Sequence, residues 1–357
     1  MTEHTSALDA LLANGEAILV AGPGGVGKTT VSAALAVRAA QHHGRRVLLV
    51  TVDPARRLAD ALGVEEVSQL TTPEPVLVPV GPGDGRLWAV MVDMASSWDA
   101  LVTRFAEDPA DRDALFDNSL YRTLTTRFVQ SHDYIALDHL CELTDDERYD
   151  LVIVDTPPSG HALDILDAPG RMLEFFDSRL LRWLTASYRT RLAAVTARPF
   201  LAVAERLLGG QFLSDVAEFF WLLSRLQPGL VARSQQVQAT LDDPATHVAL
   251  VTSAETPALA QTDALRAALV DRGRAPALLV HNRASSARAD VAIDDVVDPS
   301  LRAAVEAVVG SARSLTGWWA DRDGQPDTLI TVPRRWDSVH SVSALGTLFD
   351  DGSQVSQ

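Results

Sequence analysis

Gly22-Pro-Gly-Gly-Val-Gly-Lys-Thr-Thr30 fits the pattern G-x-x-x-x-G-K-[ST], with Gly22 and Gly27 as its glycines and Lys28-Thr29 as its end. The five residues before it, Ala17-Ile-Leu-Val-Ala21, read as a buried strand, and Thr30 to Ala40 has the composition and spacing of a helix. Strand, glycine-rich turn and helix in that order make a phosphate-binding loop. Main-chain N–H groups of Gly24, Gly25, Val26, Gly27 and Thr30 can wrap a phosphate at the positive end of the helix. Lys28 neutralises outer phosphate oxygens and the Thr29 hydroxyl is placed for Mg²⁺. The stretch also satisfies G-x-G-x-x-G through Gly22, Gly24 and Gly27, which makes a dinucleotide site the competing reading. Lys28-Thr29 has no role in a dinucleotide turn, and a second phosphate-site motif downstream favours the P-loop.

That second motif is Asp150-Leu-Val-Ile-Val-Asp155, an apolar strand ending in an acid that could enter the Mg²⁺ sphere. Thr156-Pro-Pro-Ser-Gly-His161 follows, stiff and then flexible, as befits a segment with two arrangements. Asp53 ends the second strand and precedes Pro54, so it serves either as a helix cap or as the carboxylate that orients an attacking water.

Apolar runs at Ala17–Ala21, Arg46–Val52, Leu87–Val92, Asp150–Asp155, His247–Thr252, Ala275–His281 and Thr328–Val332 alternate with helical patterns. The expectation is an α/β fold, a mostly parallel sheet flanked by helices, with its ligand at the carboxyl ends of the strands. Ala95 to Glu147 and Pro169 to Leu241 interrupt the alternation with helix alone. The domain expectation is therefore a P-loop core at 1–94, 148–168 and 242–350, a helical subdomain at 95–147 and 169–241, and a tail at 351–357. In the second helical stretch Phe212, Val216, Phe219 and Leu223 form one apolar stripe. It suits either the core of the subdomain or a surface for an apolar client.

The 357 residues carry a formal charge of −16, which argues against general affinity for nucleic acid or anionic lipid. No apolar run approaches the roughly 20 residues of a membrane span, and Met-Thr-Glu-His is no signal peptide, so a soluble cytoplasmic protein is expected. The single cysteine, Cys141, reads as a small buried hydrophobe.

The chain resembles the arsenical pump-driving ATPases and the related ATPases that guide tail-anchored membrane proteins, of the same P-loop branch as MinD and the nitrogenase iron protein. The resemblance rests on Gly22–Thr30, Asp53-Pro-Ala, Asp155-Thr-Pro-Pro-Ser-Gly-His161, Val251-Thr-Ser-Ala-Glu255 and His281-Asn282. Asn118-Ser-Leu-Tyr with Ser131-His-Asp-Tyr-Ile-Ala136 resembles bacterial members. It implies a nucleotide-gated dimer, a homodimer or a heterodimer with a paralogue, that binds ATP and Mg²⁺ and couples to an apolar client or membrane-protein partner. In it Lys28 and Thr29 would hold phosphate and Mg²⁺, Asp53 and Pro54 would form switch I, and Asp155, Gly160 and His161 would form switch II. Asn282 would contact adenine.

Two departures matter. In that family the second loop residue is usually a lysine that reaches across the dimer, and here it is Pro23. The missing charge leaves a slow ATPase, a partner that donates the lysine, or a substitute such as Arg56 or Arg57. A metalloid site needs several thiolates, which one cysteine cannot supply within one chain, so direct arsenite activation is not expected.

Overall fold

Ala17–Ala21 (β1) is buried along its whole length, as a strand covered on both faces must be. The computed structural model describes residues 3–51, 57–63, 74–81, 83–92, 94–127, 129–156, 162–179, 210–284, 298, 302, 328–335 and 339–350. These divide into two compact units, one of Met1–Val92, Leu143–Leu163 and Asp243–Gln357, the other of Asp93–Glu142 and Asp164–Asp242.

The first unit opens with α1 (Glu3–Asn14), then β1, α2 (Lys28–His43), β2 (Arg46–Thr51), α3 (Arg57–Leu62), β3 (Val76–Val78) and β4 (Arg86–Met91). After the second unit's first insertion comes β5 (Leu151–Asp155). The unit is completed by β6 (Thr246–Thr252), α10 (Thr256–Asp271), β7 (Leu278–Ala284), β8 (Thr328–Pro333) and α11 (Val342–Gly346). The sheet runs β3-β4-β2-β5-β1-β6-β7-β8. Every pair is parallel except β3 with β4. The parallel α/β architecture expected from the sequence is what the chain forms.

Helix α2 shows why the sequence folds this way. Val31 and the run from Ala33 to Ala40 are buried, and the small alanines let the helix lie close on the sheet. Each buried valine or leucine in that interface contributes roughly 1.5–3 kcal/mol. The sequence reading passed over β3. Pro75 and Pro79 bracket its three residues, which reads as loop, and the strand survives because it lies at an edge where prolines are tolerated. Strand β7 also runs on to Ala284 rather than ending at His281, so Asn282 lies inside the strand and not after it.

The second unit is helical: α4 (Met94–Phe105), α5 (Pro109–Asp117), α6 (Ser119–Arg127), α7 (Val129–Thr144), α8 (Ala162–Asp177) and α9 (Gly210–Asp242). Helix α8 starts ahead of Pro169, which lies within it. In α9 the buried line is Phe219, Leu222, Leu226, Leu230, Val237 and Leu241, whereas Leu223 and Phe220 are only partly buried. The stripe read from the sequence thus shares Phe219 with the true core line but diverges after it. Both arginines of α9 work inside the unit: Arg233 donates to Asp138 at 2.5 Å, and Arg225 pairs with Asp111. Cys141 is buried and accepts a hydrogen bond from Thr240 at 3.3 Å.

Candidate functional site

Strand β1 delivers the chain into the loop, and α2 carries it out. Two glycines make the turn possible. Gly22 has φ 154°, and a Cβ there would drive into the carbonyl of Val251 on β6. Gly27 has φ 94°, and a Cβ there would meet the Asn282 side chain. Only glycine fits both positions. From Gly27 the chain enters α2 directly, and Val31 N–H closes the first helical turn on the Gly27 carbonyl at 3.0 Å. The preceding N–H groups of the helix start are therefore outside the helical ladder and available to an anion.

Lys28 is buried, and its Nζ donates to the carbonyls of Gly22 and Pro23, both at 3.0 Å. The ammonium thus bridges back over the loop that it belongs to. Pro23 is itself buried. On the next position of α2, the Thr29 hydroxyl donates to Asp155 Oδ2 at 2.7 Å. Ser32, one turn on, donates to Oδ1 at 3.3 Å, and Thr51 on β2 donates to Oδ2 at 3.3 Å. Strand register explains the convergence: Asp155 at the end of β5 is flanked by Val20 of β1 and Thr51 of β2. Burial pushes the Asp155 carboxyl up to about 6, against the stabilising pull of the Thr29 hydroxyl and the Lys28 charge. Thr156, just beyond, donates its hydroxyl to the Val20 carbonyl at 2.8 Å and ties β5 to β1 at this point.

The other wall comes from β7. Asn282 donates from Nδ2 to the Val26 carbonyl at 2.8 Å, and Arg283 donates from Nη1 to the Gly25 carbonyl at 2.9 Å. Neighbouring loop carbonyls are thereby held by neighbouring residues of one strand. Loop and strand enclose a cavity of about 330 Å³ whose lining includes Gly25, Gly27, Lys28, Thr29 and Thr30, with Asp60, Ala61, Thr156, Arg283, Val339 and His340.

Of the residues singled out from the sequence, Gly22, Gly24, Gly25, Val26, Gly27, Lys28, Thr29, Thr30, Asp155 and Asn282 fall on this one loop and the strand ends beside it. Asp53, Pro54, Arg56, Gly160 and His161 lie outside the described residues, as does the Arg57 side chain. Sequence reasoning missed Ser32, Thr51, Asp60, Arg283 and His340. Ser32 was findable, because it follows Thr29 at helical spacing. Thr51 and His340 were not, since only the tertiary arrangement brings them here.

The arrangement offers an anion cradle, a buried cation and a hydroxyl–carboxylate pair. Comparison with known proteins agrees with it. The family model for anion-transporting ATPases matches residues 15–288. The chain is similar to an ATPase ASNA1 homologue of Paramecium tetraurelia, 31% identical over 159 residues, covering 43% of this chain and 44% of that one. It is also similar to the ATPase get3 of Pyrenophora tritici-repentis, 29% identical over 203 residues, 56% of this chain and 55% of that one. An arsenical pump-driving ATPase of Escherichia coli is 31% identical over 165 residues, 44% of this chain and 26% of that one. The matches thus span about half, or less, of the length of these relatives.

Proposed function

The chain belongs to the anion-transporting ATPase family, and from that premise we propose that it binds Mg-ATP on the Gly22–Thr30 loop and hydrolyses it. The observation that carries this reading is the 2.7 Å bond between Thr29 and Asp155 at the mouth of a loop that also holds Lys28. Hydroxyl and carboxylate oxygens are the hard donors that Mg²⁺ prefers, and Mg²⁺ takes one or two protein ligands beside phosphate and water. Thr29 and Asp155 fit that demand. When bound, the ion would neutralise phosphate charge.

Lys28 would turn its ammonium from the loop carbonyls to phosphate oxygens. Asp53 would orient the attacking water, and Asp155, Gly160 and His161 would transmit the presence of the terminal phosphate. Asn282 would face the adenine. Two further elements of the reading are a dimer and an apolar client or membrane partner at the helical unit. Support for the client is an apolar cavity of about 430 Å³ within that unit, lined by Trp98, Leu101, Phe175, Phe219 and Leu223 among others. No helix among the described residues is long and apolar enough to cross a membrane.

The test is Mg²⁺-dependent phosphate release by the purified chain, compared with Lys28→Ala and Asp53→Asn. Each substitution should cost a hundredfold or more, the scale of losing one group aimed at transition-state charge. Turnover that both variants retain would sink the proposal. Pro23 favours a second reading, a weakly hydrolysing or regulatory subunit of a heterodimer. ATP binding without turnover, with turnover restored by a paralogue, would select it.

A further inference from the structure

We propose that Arg283 is a second cation of the phosphate site, supplied by the same chain, which favours a nucleoside triphosphate over the diphosphate and replaces the charge that Pro23 cannot carry. The inference rests on the nucleotide reading above. Three features of one local turn in β7 point to it. The pairing of β7 with β8 is irregular between His281 and Ala284, the kind of local break that re-aims a side chain beside an active site. Within that break Arg283 holds φ 56°, and it is the one non-glycine among the described residues with positive φ. That conformation is uncommon for such a residue. The Arg283 N–H donates to Asn282 Oδ1 at 2.9 Å while Asn282 holds the Val26 carbonyl, so the turn is locked onto the loop.

The outcome is an exposed guanidinium in the wall of the cavity that Lys28 and Thr29 also line. Its side chain rests on the Gly25 carbonyl at 2.9 Å, and among the described residues no carboxylate pairs with it. In a chain of net charge −16 that is an unusual place to keep an uncompensated cation. Lys28 likewise rests on loop carbonyls. Both cations are therefore held by neutral carbonyl acceptors that anionic phosphate oxygens would outbid, since phosphate adds the attraction of a full opposite charge to the hydrogen bond. Mg-ATP carries one more negative charge than Mg-ADP, so an added cation discriminates between them.

The experiment is calorimetric titration of the full chain with Mg-ADP and with the Mg complex of a β,γ-imido ATP analogue. Arg283→Gln should weaken the analogue by roughly 10- to 100-fold, leave ADP within about threefold, and Arg283→Lys should recover part of the loss. Arg283→Gly relieves the backbone and should raise the melting temperature while losing the same selectivity. Wild-type selectivity in Arg283→Gly or Arg283→Gln, or an equal loss for both nucleotides, would overturn the proposal. Failure of the nucleotide reading looks different: wild type and Lys28→Ala would both show no binding of either nucleotide, and the Arg283 proposal would fall with it.

Discussion

Asp155, at the end of β5, and His281, within β7, are both buried beside the same loop, and each resists its charged form. Burial raises the Asp155 carboxyl from 3.8 to about 6 and lowers the His281 imidazole from 6.5 to about 4, and among the described residues His281 Nε2 has no hydrogen-bond partner. For Asp155 the folded chain prefers the proton, so its stabilising contribution is complete below about pH 3.8 and gone once the pH has risen past about 6. For His281 the folded chain prefers the neutral ring, so stability is present above about pH 6.5 and lost as the pH falls towards 4. The two effects oppose each other across one window, at roughly 3 kcal/mol each. Without Mg²⁺ or nucleotide, urea midpoints at pH 4.5 and 6.5 should expose them separately. Relative to wild type, Asp155→Asn should become more acid-labile and His281→Phe more acid-tolerant. His139, which burial also holds below its ordinary value, adds the same acid loss to all three proteins. Parallel pH profiles for all three would refute the argument. Asp155 was legible in the sequence because a strand end fixes it. The partner Thr51 was not, because it sits 104 residues away and only the β2–β5 register places it there.

Helix α2 links this site to the rest of its unit. Its Arg38 is almost fully buried and grips Asp9 of α1 with two bonds, 2.8 and 3.2 Å, and Asp350 at 3.1 Å. Although burial pulls the other way, Arg38 and His43 together hold the Asp9 carboxyl below the usual range. Arg38→Met would leave Asp9 with the His43 ring as its remaining partner of these. We expect a loss of about 2–4 kcal/mol in denaturant unfolding, below the fully buried range because Asp9 keeps some solvent. Adding Asp9→Leu should recover most of that loss, since an apolar pair of similar volume can stand in for an ion pair. A double variant as unstable as Arg38→Met would show that the stability lies elsewhere. At this scale the sequence was informative where one physical signal dominates. Continuous apolar runs announced the parallel strands, and the alanine-rich stretch after Lys28 announced α2. It failed where signals conflict, as at Val76–Val78 between its prolines. It also failed in α9, where apolar residues on several faces blur which line is core: Phe219 was named, but Leu226 and Leu230 hold the buried line.

For the whole molecule the question is whether nucleotide chemistry reaches the helical unit. Four chain crossings join the units, at 92/93, 142/143, 163/164 and 242/243. At one of them few residues of sequence intervene: Asp155 ends β5, and α8 begins at Ala162 and carries Ala168, Met172 and Phe175 into the lining of the apolar cavity. The segment between them, 157–161, is the one whose sequence suggests two arrangements. If a bound triphosphate fixes that segment, the start of α8 is the first helix to feel it, and the cavity lining follows. Coupling between sites typically amounts to 1–3 kcal/mol, or about 5- to 150-fold in an equilibrium. Backbone hydrogen exchange should therefore change by about tenfold or more in α8 and along Phe219–Leu230 when the Mg–imido-ATP complex binds. The same addition to Lys28→Ala should leave those amides unchanged. The N-terminal turn of α2 serves as the internal control, because it must become protected wherever nucleotide binds. Protection of α2 with no change in α8 or α9 would separate the ATP site from the helical unit, and coupling to an apolar client would then be excluded.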